Sequence, residues 1–205
     1  MTPSLYLVTD RLASSRPLPQ LVAEAISRVD PRRVAVQLRE KDLSGRALFE
    51  LGKEVLAACR ARGVPMLVND RLDVAFALSA DGVHLGGDAI PAAKAREIWP
   101  QAQIGISCHS PAELSGRREG ADFATWGPVF FTPSKARYGP PVGFEGLAAA
   151  RAIGLPLVAL GGIDGERAGG LKQKGFAGIA CIRAVFSAQN PAQAAQDLLA
   201  AYDRL

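Results

Sequence analysis

The sequence predicts a parallel (β/α)8 barrel, and three observations lead to that prediction. Short apolar, often β-branched runs recur along the chain, each followed by a polar turn and a longer amphipathic segment. Several of these runs are apolar at consecutive positions, as parallel strands buried on both faces are. About eight such strand–helix units fit into 205 residues, which matches a compact single-domain TIM barrel with short connections.

The candidate strands are short and lie at regular intervals along the chain. In chain order they are Leu5–Val8, Val34–Leu38, Met66–Asn69, Gly82–Leu85, Gln103–Ser107, Phe123–Gly127, Leu157–Leu160 and Gly178–Ile182. An open doubly wound sheet is the alternative arrangement for such an alternation. It is disfavoured because no Gly-rich phosphate turn follows the first strand.

The candidate helices lie between the strands, and several begin at a proline or a serine. They are Leu18–Val29, Arg46–Arg60, Leu72–Ser79, Ala92–Trp99, Ala112–Glu119, Phe144–Ile153, Gly165–Lys174 and Pro191–Tyr202. Ser44 is a candidate N-cap for the second helix, and Gly63 marks its end. The chain shows no linker-like composition, so residues 1–205 are predicted to form one domain.

Composition excludes several classes of protein. The formal charge of +4 is small and spread along the chain, whereas nucleic-acid-binding proteins concentrate basic residues in a patch or tail. Three cysteines without CxxC spacing predict free thiols in a reducing compartment. The apolar segment near the N-terminus ends at Thr9, too soon for a signal peptide, so none is expected. No apolar stretch approaches membrane-spanning length. We therefore expect a cytoplasmic protein that binds small molecules, with a homo-oligomer left open.

Polar side chains follow the candidate strands, and in a barrel of parallel strands they would share one rim. Gln37, Arg39 and Lys41 alternate with apolar or acidic residues, so period two directs them to the same side. Two cations beside an amide suit a phosphate or diphosphate. The alternative is a salt-bridged strand end in which Glu40 or Asp42 neutralises these cations.

Asn69 and Asp70 end the third candidate strand. Such a pair is most often a helix N-cap, but its expected position beside the cations of the second strand suggests a second interpretation. A carboxylate among phosphate-binding cations is explained if Mg2+ joins it to the phosphates. Asp88, after the fourth strand, is a candidate second metal ligand or a simple turn residue.

Hydroxyl and ammonium groups follow the fifth and sixth strands. Ser107 is a candidate hydrogen-bond donor to phosphate, while the neighbouring His109 has no assigned role. Thr132, Ser134 and Lys135 lie on the long irregular segment Phe131–Gly143, which is predicted to be a lid over the barrel mouth. A solvent-exposed proline turn is the alternative for that segment.

Gly161 and Gly162 follow the seventh strand, and Arg183 follows the eighth. Loops at these two positions form a phosphate site in many barrels, and glycines allow the backbone N–H groups to approach the ligand. The sequence therefore predicts two phosphate subsites. One comprises Arg39, Lys41 and Lys135, and the other comprises Gly161, Gly162 and Arg183.

Taken together, these motifs resemble the thiamine-phosphate synthase superfamily, which also includes the thiazole tautomerases of the TenI type. The matching motifs run in the family's order and cover nearly the whole chain. They are Leu5-Tyr6-Leu7-Val8-Thr9-Asp10, Gln37-Leu38-Arg39-Glu40-Lys41, Asn69-Asp70, Gly82-Val83-His84-Leu85-Gly86, Gly105-Ile106-Ser107, Gly127-Pro128-Val129-Phe130, Thr132-Pro133-Ser134-Lys135 and Gly161-Gly162-Ile163.

The resemblance to the synthases implies a transferase that joins hydroxymethylpyrimidine diphosphate to thiazole phosphate, with Mg2+ assisting the departure of pyrophosphate. It assigns the diphosphate to Gln37, Arg39, Lys41, Asn69, Ser107 and Lys135. It assigns the metal to Asp70 and Asp88, and the thiazole phosphate to Thr132, Ser134, Gly162 and the turn around Arg183. Among these groups it implies catalytic roles for Lys41, Lys135, Arg39 and Ser107.

The sequence departs from the family's pattern at a few positions, and these departures keep two alternatives open. Synthases usually read Gly-Gln-x-Asp where this chain has Gly86-Gly87-Asp88, and Ser where it has Arg183. A thiazole tautomerase needs no diphosphate site, although its characteristic His is Pro128 here. A protein that binds thiazole phosphate without turnover is the second alternative.

Overall fold

The computed structural model describes residues 1–132 and 140–204. Within them, eight parallel strands close into a barrel in chain order, with β1 paired to β2 on one side and to β8 on the other. The strands are β1 Leu5–Val8, β2 Val34–Leu38, β3 Met66–Asn69, β4 Gly82–Leu85, β5 Gln103–Cys108, β6 Phe123–Trp126, β7 Leu157–Leu160 and β8 Gly178–Cys181. The predicted (β/α)8 barrel is confirmed.

The helices surround the barrel. They are α1 Leu18–Ala25, α2 Gly45–Arg60, α3 Leu72–Leu78, α4 Ala92–Ile98, α5 Pro111–Arg117, α6 Leu147–Ala152, α7 Arg183–Phe186 and α8 Pro191–Asp203. Ser44 caps α2 as predicted, because its hydroxyl accepts a 3.3 Å hydrogen bond from the Ala47 amide. Among these described helices, none combines the length and the apolar character that crossing a bilayer demands.

The predicted helix Gly165–Lys174 is wrong. This connection between β7 and β8 is a series of turns in which only scattered helical hydrogen bonds form, such as the Ala168 amide to the Asp164 carbonyl. Gly169 and Gly170 are adjacent, and Gly170 has φ +76°. A left-handed glycine cannot continue a right-handed helix, so the segment turns instead.

Side chains alternate between the interior of the barrel and its helical coat. The interior holds a compact buried cluster of Tyr6, Val8, Ala35, Leu67, Phe123, Val158 and Ala180. Their neighbours along the strands, such as Leu5 and Leu7, face the helices and join the larger core between strands and helices. This alternation is the period-two pattern of strands, and it fills the barrel below the rim formed by the strands' carboxyl ends.

The three cysteines, Cys59, Cys108 and Cys181, are buried and unpaired, as the sequence predicted. Burial raises the pKa of each thiol to about 12. Thiols with so high a pKa stay protonated at neutral pH and do not act as nucleophiles.

Candidate active site

The candidate site is the rim where all eight strands end. Because the strands are parallel, the residues that follow them converge on the same face of the barrel. The rim therefore carries the residues that end β2, β3, β4 and β5, together with the loops after β6, β7 and β8. In the described part of the chain these are Gln37, Arg39, Lys41, Asn69, Asp70, Asp88, Ser107, Thr132, Gly161, Gly162 and Arg183.

Glu40 and Asp42 are bound by Arg11, which lies on the short 3-10 helix after β1. The Asp42 carboxylate accepts hydrogen bonds of 2.6 and 2.5 Å from the Arg11 guanidinium. The buried Glu40 carboxylate accepts the Arg11 backbone N–H at 3.1 Å and its guanidinium at 3.3 Å. The interpretation in which Glu40 or Asp42 neutralises Arg39 and Lys41 is therefore wrong.

Thr9 connects this cluster to Arg39. The Thr9 hydroxyl donates a 2.6 Å hydrogen bond to Glu40 and accepts a 2.8 Å hydrogen bond from the Arg39 backbone N–H. The half-buried Arg39 side chain forms no ion pair with any residue in the ranges 1–132 and 140–204. Its backbone is therefore held firmly while its guanidinium is not neutralised by the acids beside it in the sequence.

Asp70 joins the ends of β3 and β4. Its Oδ1 accepts a 2.6 Å hydrogen bond from the Gly86 amide, and its Oδ2 accepts a 2.7 Å hydrogen bond from the Asn69 amide nitrogen. The Lys41 ammonium lies 3.3 Å from the same Oδ2. Burial alone would raise the pKa of Asp70, but the Gly86 amide and Lys41 outweigh it and lower the pKa. Asp70 is therefore an anion at neutral pH.

The N-cap interpretation of Asn69 and Asp70 is wrong. The N-cap residue of α3 is Arg71, and no side chain caps that helix. Asp70 has a left-handed backbone, with φ +58°, which directs its carboxylate across to the loop after β4. Asn and Asp tolerate this conformation better than other non-glycine residues.

Asp88 is an exposed residue of the turn that follows β4. Its carboxylate forms no hydrogen bond or ion pair with another described residue. The Asp70 carboxylate has the oxygen chemistry that suits a hard cation such as Mg2+. The described residues contain no group of three or more His, Cys, Asp or Glu that could hold a metal by themselves. A second ligand at Asp88 stays a prediction.

Below the rim, four polar side chains form a continuous row across the barrel interior. The Gln37 amide nitrogen donates to the Tyr6 hydroxyl at 3.0 Å, and that hydroxyl lies 3.3 Å from Nδ1 of His84. Nε2 of His84 lies 3.0 Å from the Ser107 hydroxyl. The row thus joins two candidate site residues, Gln37 and Ser107, through two residues to which the sequence assigned no role.

Tyr6 and His84 are neutral groups. Burial lowers the pKa of His84 to about 3, against a smaller opposing effect of Asp70. Burial also raises the pKa of Tyr6 above its usual value. The two rings lie 5.6 Å apart, and Phe123 contacts both of them. The buried polar atoms of this row therefore form hydrogen bonds with one another and need no charged partner.

Arg117 is a further rim residue that sequence reasoning missed. Its guanidinium donates to the Ser107 carbonyl at 2.7 Å and to the Gly86 carbonyl at 2.5 Å, so it fixes the ends of β4 and β5 together. His109 has a structural partner in Glu113, whose carboxylate lies 3.1 Å from its Nδ1. The exposed His109 therefore helps to form the beginning of α5.

The glycines after β7 are required by close packing. A Cβ on Gly161 would lie 2.6 Å from Pro128, and a Cβ on Gly162 would lie 2.7 Å from the Phe131 carbonyl. Both have positive φ, at +104° and +65°. The Phe130 amide also donates to the Gly161 carbonyl at 3.1 Å, so the loops after β6 and β7 are joined.

Of the remaining candidate site residues, the structure describes Arg183 and Thr132. Arg183 is exposed and is the first residue of α7, and it forms no ion pair within the described ranges. Thr132 is half-buried. Ser134, Lys135 and most of the predicted lid lie outside the described residues, so those assignments stay predictions.

The sequence contains a signal for two of the residues that were missed, Tyr6 and His84. Tyr6 and His84 are polar-tipped side chains in the middle of apolar strands, and period two places both inside the barrel. A buried polar group needs a partner, which could have paired them. Arg117 gave no such signal, because a basic residue near a helix end is ordinarily solvated.

Comparison with known proteins agrees with the geometry. Residues 5–185 match the family model described as thiamine monophosphate synthase. A thiamine-phosphate synthase of Chlorobium luteolum is 46% identical over 168 residues, which cover 80% of this chain and 79% of the relative. One from Roseiflexus castenholzii is 42% identical over 198 residues, covering 95% and 86% respectively.

The structural comparison leads to the same family. The solved structure of a thiamine phosphate pyrophosphorylase from Pyrococcus furiosus superposes with a TM-score of 0.85 at 35% identity. The match covers 98% of this chain and 95% of that one. With its family match over most of its length and these relatives, the chain belongs to the thiamine monophosphate synthase family.

Proposed function

We propose that this protein is a thiamine-phosphate synthase, which transfers the hydroxymethylpyrimidine group from its diphosphate to thiazole phosphate and releases pyrophosphate. One observation carries the proposal at this site. Arg11 binds Glu40 and Asp42, so neither of these acids neutralises Arg39 or Lys41 at the rim, and Lys41 pairs with Asp70 instead. Family membership supports the same activity.

The reaction breaks the bond between the pyrimidine methylene carbon and the diphosphate oxygen. The electron pair leaves with pyrophosphate, and the ring nitrogen of the thiazole then forms the new bond to that carbon. Such a reaction needs stabilisation of the departing anion more than it needs a base. The proposed catalytic groups Arg39, Lys41, Lys135 and Ser107 are cations and a hydroxyl, which supply that stabilisation.

Asp70 is the proposed metal ligand. Its carboxylate is held by Asn69 and the Gly86 amide and is ionised at neutral pH, as a Mg2+ ligand must be. Bound Mg2+ would neutralise charge on the diphosphate oxygens. Asp70 also holds Lys41 at 3.3 Å, which keeps the ammonium at the rim. Asp88 is proposed as a second oxygen ligand from the adjoining turn.

The thiazole phosphate is assigned to the loops after β6, β7 and β8. Gly161, Gly162 and Arg183 follow β7 and β8, and Thr132 and Ser134 belong to the loop after β6. The backbone hydrogen bond from Phe130 to Gly161 joins the loops after β6 and β7, which supports a phosphate subsite shared by these two loops. All the proposed groups follow strands of one barrel, and we propose accordingly that residues 1–205 form a single domain.

An assay with both substrates tests the proposal. Purified protein is incubated with hydroxymethylpyrimidine diphosphate, thiazole phosphate and Mg2+, and thiamine phosphate and pyrophosphate are measured. We expect both products in equal amounts. We expect Lys41→Ala to lower kcat/KM by about 100-fold or more. The matched control is Lys53→Ala, since Lys53 is an exposed lysine of α2 paired with Glu50.

Other outcomes would overturn the proposal. Isomerisation of a thiazole carboxylate phosphate without the pyrimidine substrate would identify a tautomerase. Saturable binding of thiazole phosphate with neither reaction would identify a binding protein. An equal loss of activity in Lys41→Ala and Lys53→Ala would place the reaction elsewhere on the molecule.

A further inference from the structure

Tyr6 and His84 lie at the centre of the barrel, where neither can serve as an exposed binding group. Their side chains are 0% and 2% exposed. A Cβ on Gly105 would lie 2.5 Å from Nδ1 of His84 and 2.7 Å from the Phe123 ring, so the imidazole fills space that only a glycine leaves. The barrel therefore holds this ring tightly, although the proposed reaction does not use it directly.

With the Gln37 amide nitrogen facing Tyr6, the number of protons in the row fixes the direction of its hydrogen bonds. The Gln37 amide nitrogen can only donate, so the Tyr6 oxygen accepts there and the single Tyr6 proton is left for Nδ1 of His84. A neutral imidazole that accepts at Nδ1 carries its proton on Nε2. That proton points to the Ser107 oxygen, 3.0 Å away.

This direction decides what Ser107 offers to a ligand. Its oxygen accepts from His84, so its own proton is directed to a partner outside the row. Ser107 is half-buried at the end of β5, which is the rim of the barrel mouth. The opposite orientation of the Gln37 amide would reverse every hydrogen bond in the row, and the Ser107 hydroxyl would then donate to His84.

We propose that Tyr6 and His84 are positioning residues that hold the Ser107 hydroxyl as a hydrogen-bond donor toward the diphosphate. This inference rests on the proposed function, in which Ser107 binds that group. A donor fixed before the reaction stabilises the departing anion without reorganisation. The row remains neutral throughout, so it adds orientation to the site and no charge.

The first test determines the tautomer of His84 in the ligand-free protein. The chain has two histidines, so 15N NMR of the wild type and of a His109→Gln variant assigns both imidazoles. We expect His84 to carry its proton on Nε2, with an unprotonated Nδ1. A proton on Nδ1, or a rapidly exchanging mixture of the two forms, would overturn the inference.

The second test is a double-mutant cycle with Tyr6→Phe, Ser107→Ala and the pair. Tyr6→Phe removes one hydroxyl from the row and keeps the ring. We expect it to lower kcat by roughly three- to tenfold, with a smaller effect on KM. If Tyr6 acts through Ser107, the same change has no further effect in the Ser107→Ala background. An equal effect in both backgrounds would show a packing role only.

Tyr202→Phe is the matched control. Tyr202 is also buried and donates a 2.8 Å hydrogen bond to the Phe176 carbonyl, but it belongs to α8 outside the barrel. We expect its loss to lower the midpoint of unfolding and to leave kcat unchanged. A fall in kcat as large as that of Tyr6→Phe would contradict the specific role of the row.

A third measurement separates this inference from the proposed function. The same cycle is measured on the dissociation constant of inorganic pyrophosphate by calorimetry, which needs no turnover. In one outcome the wild type makes no thiamine phosphate, but Tyr6→Phe and Ser107→Ala each weaken pyrophosphate binding and their effects are not additive. The proposed function then fails and the positioning role stands. If thiamine phosphate forms and the two changes add in both measurements, the function stands and the positioning role fails.

Discussion

The Thr9 hydroxyl donates a 2.6 Å hydrogen bond to the buried carboxylate of Glu40. Through this bond the end of β1 holds the end of β2, and the same hydroxyl accepts the backbone N–H of Arg39. A buried carboxylate that loses a donor retains the cost of its desolvation. The bond between these two residues is therefore a stabilising contact that also determines where Arg39 lies.

Thr9→Val removes the hydroxyl and keeps the shape of the side chain. We expect it to lower the free energy of unfolding by about 1 to 3 kcal/mol, measured by urea denaturation. We also expect a lower kcat/KM, because the Arg39 amide loses its partner. Ser27→Ala is the control, since it removes a 2.7 Å hydrogen bond to the Glu24 carbonyl far from the rim. Full activity in the folded Thr9→Val protein would contradict the link to Arg39.

Asp70→Asn tests the proposed metal ligand. The variant keeps an acceptor for the Gly86 amide but loses its charge, so we expect the Mg2+ concentration for half-maximal activity to rise by about tenfold or more. Titration of activity with MgCl2 measures this. The loss of stability should stay below about 1 kcal/mol, because Lys41, the ion-pair partner, is more than half exposed to solvent.

Two further carboxylate variants make that result specific. Asp73→Asn is the control, because Asp73 pairs with Arg71 on the surface and its loss should leave the Mg2+ requirement unchanged. Asp88→Asn should raise the requirement if this exposed carboxylate is a second ligand. An unchanged requirement in Asp70→Asn would remove Asp70 from the metal site.

Because of His84, the free energy of unfolding should decrease as the pH is lowered. Its pKa is about 3 in the folded protein and near 6.5 when unfolded, so only the unfolded state takes up the proton between these values. The resulting loss of unfolding free energy is about 1.4 kcal/mol per pH unit as the pH falls from 6.5 toward 3. Urea denaturation at several pH values measures the slope. His84→Gln should lose this part of the slope, whereas His109→Gln should keep it.

Gly105→Ala should destabilise the barrel, because the added methyl group overlaps His84 and Phe123. We expect a loss of about 1 to 3 kcal/mol by thermal or urea denaturation. Gly116→Ala is the contrasting variant, since nothing lies within 4 Å of a Cβ there and the residue belongs to α5. That change should stabilise by up to about 1 kcal/mol. Equal effects of the two changes would show that Gly105 does not make room for the imidazole.

The sequence predicts the strands well, because buried parallel strands are short and apolar on both faces. Five of the eight strands have the predicted bounds, including Leu5–Val8 and Val34–Leu38. The helix predicted over Gly165–Lys174 fails, since apolar periodicity does not reveal that Gly170 adopts a left-handed backbone. The local apolar pattern of a sequence therefore predicts a helix or strand reliably only where no residue adopts a left-handed backbone.

The sequence predicted which residues lie at the rim but not which side chains contact one another there. Strand ends identified Arg39, Lys41 and Asp70, because the carboxyl ends of parallel strands must share a rim. Nothing in the sequence showed that Glu40 would bind Arg11, which is 29 residues away. Partners so distant in the chain depend on the closed barrel, and the sequence alone gives no distance between strands.

The pairing of Arg11 with two acids determines how the mouth of the barrel responds to mutation. A single guanidinium keeps Glu40 and Asp42 occupied. Were it lost, Asp42 would become free to compete with an incoming anion for the neighbouring cations, whereas Glu40 would keep the Thr9 hydroxyl and the backbone N–H of residue 11. Through the acids that it binds, the side chain at position 11 therefore sets how strongly the barrel mouth attracts an anion.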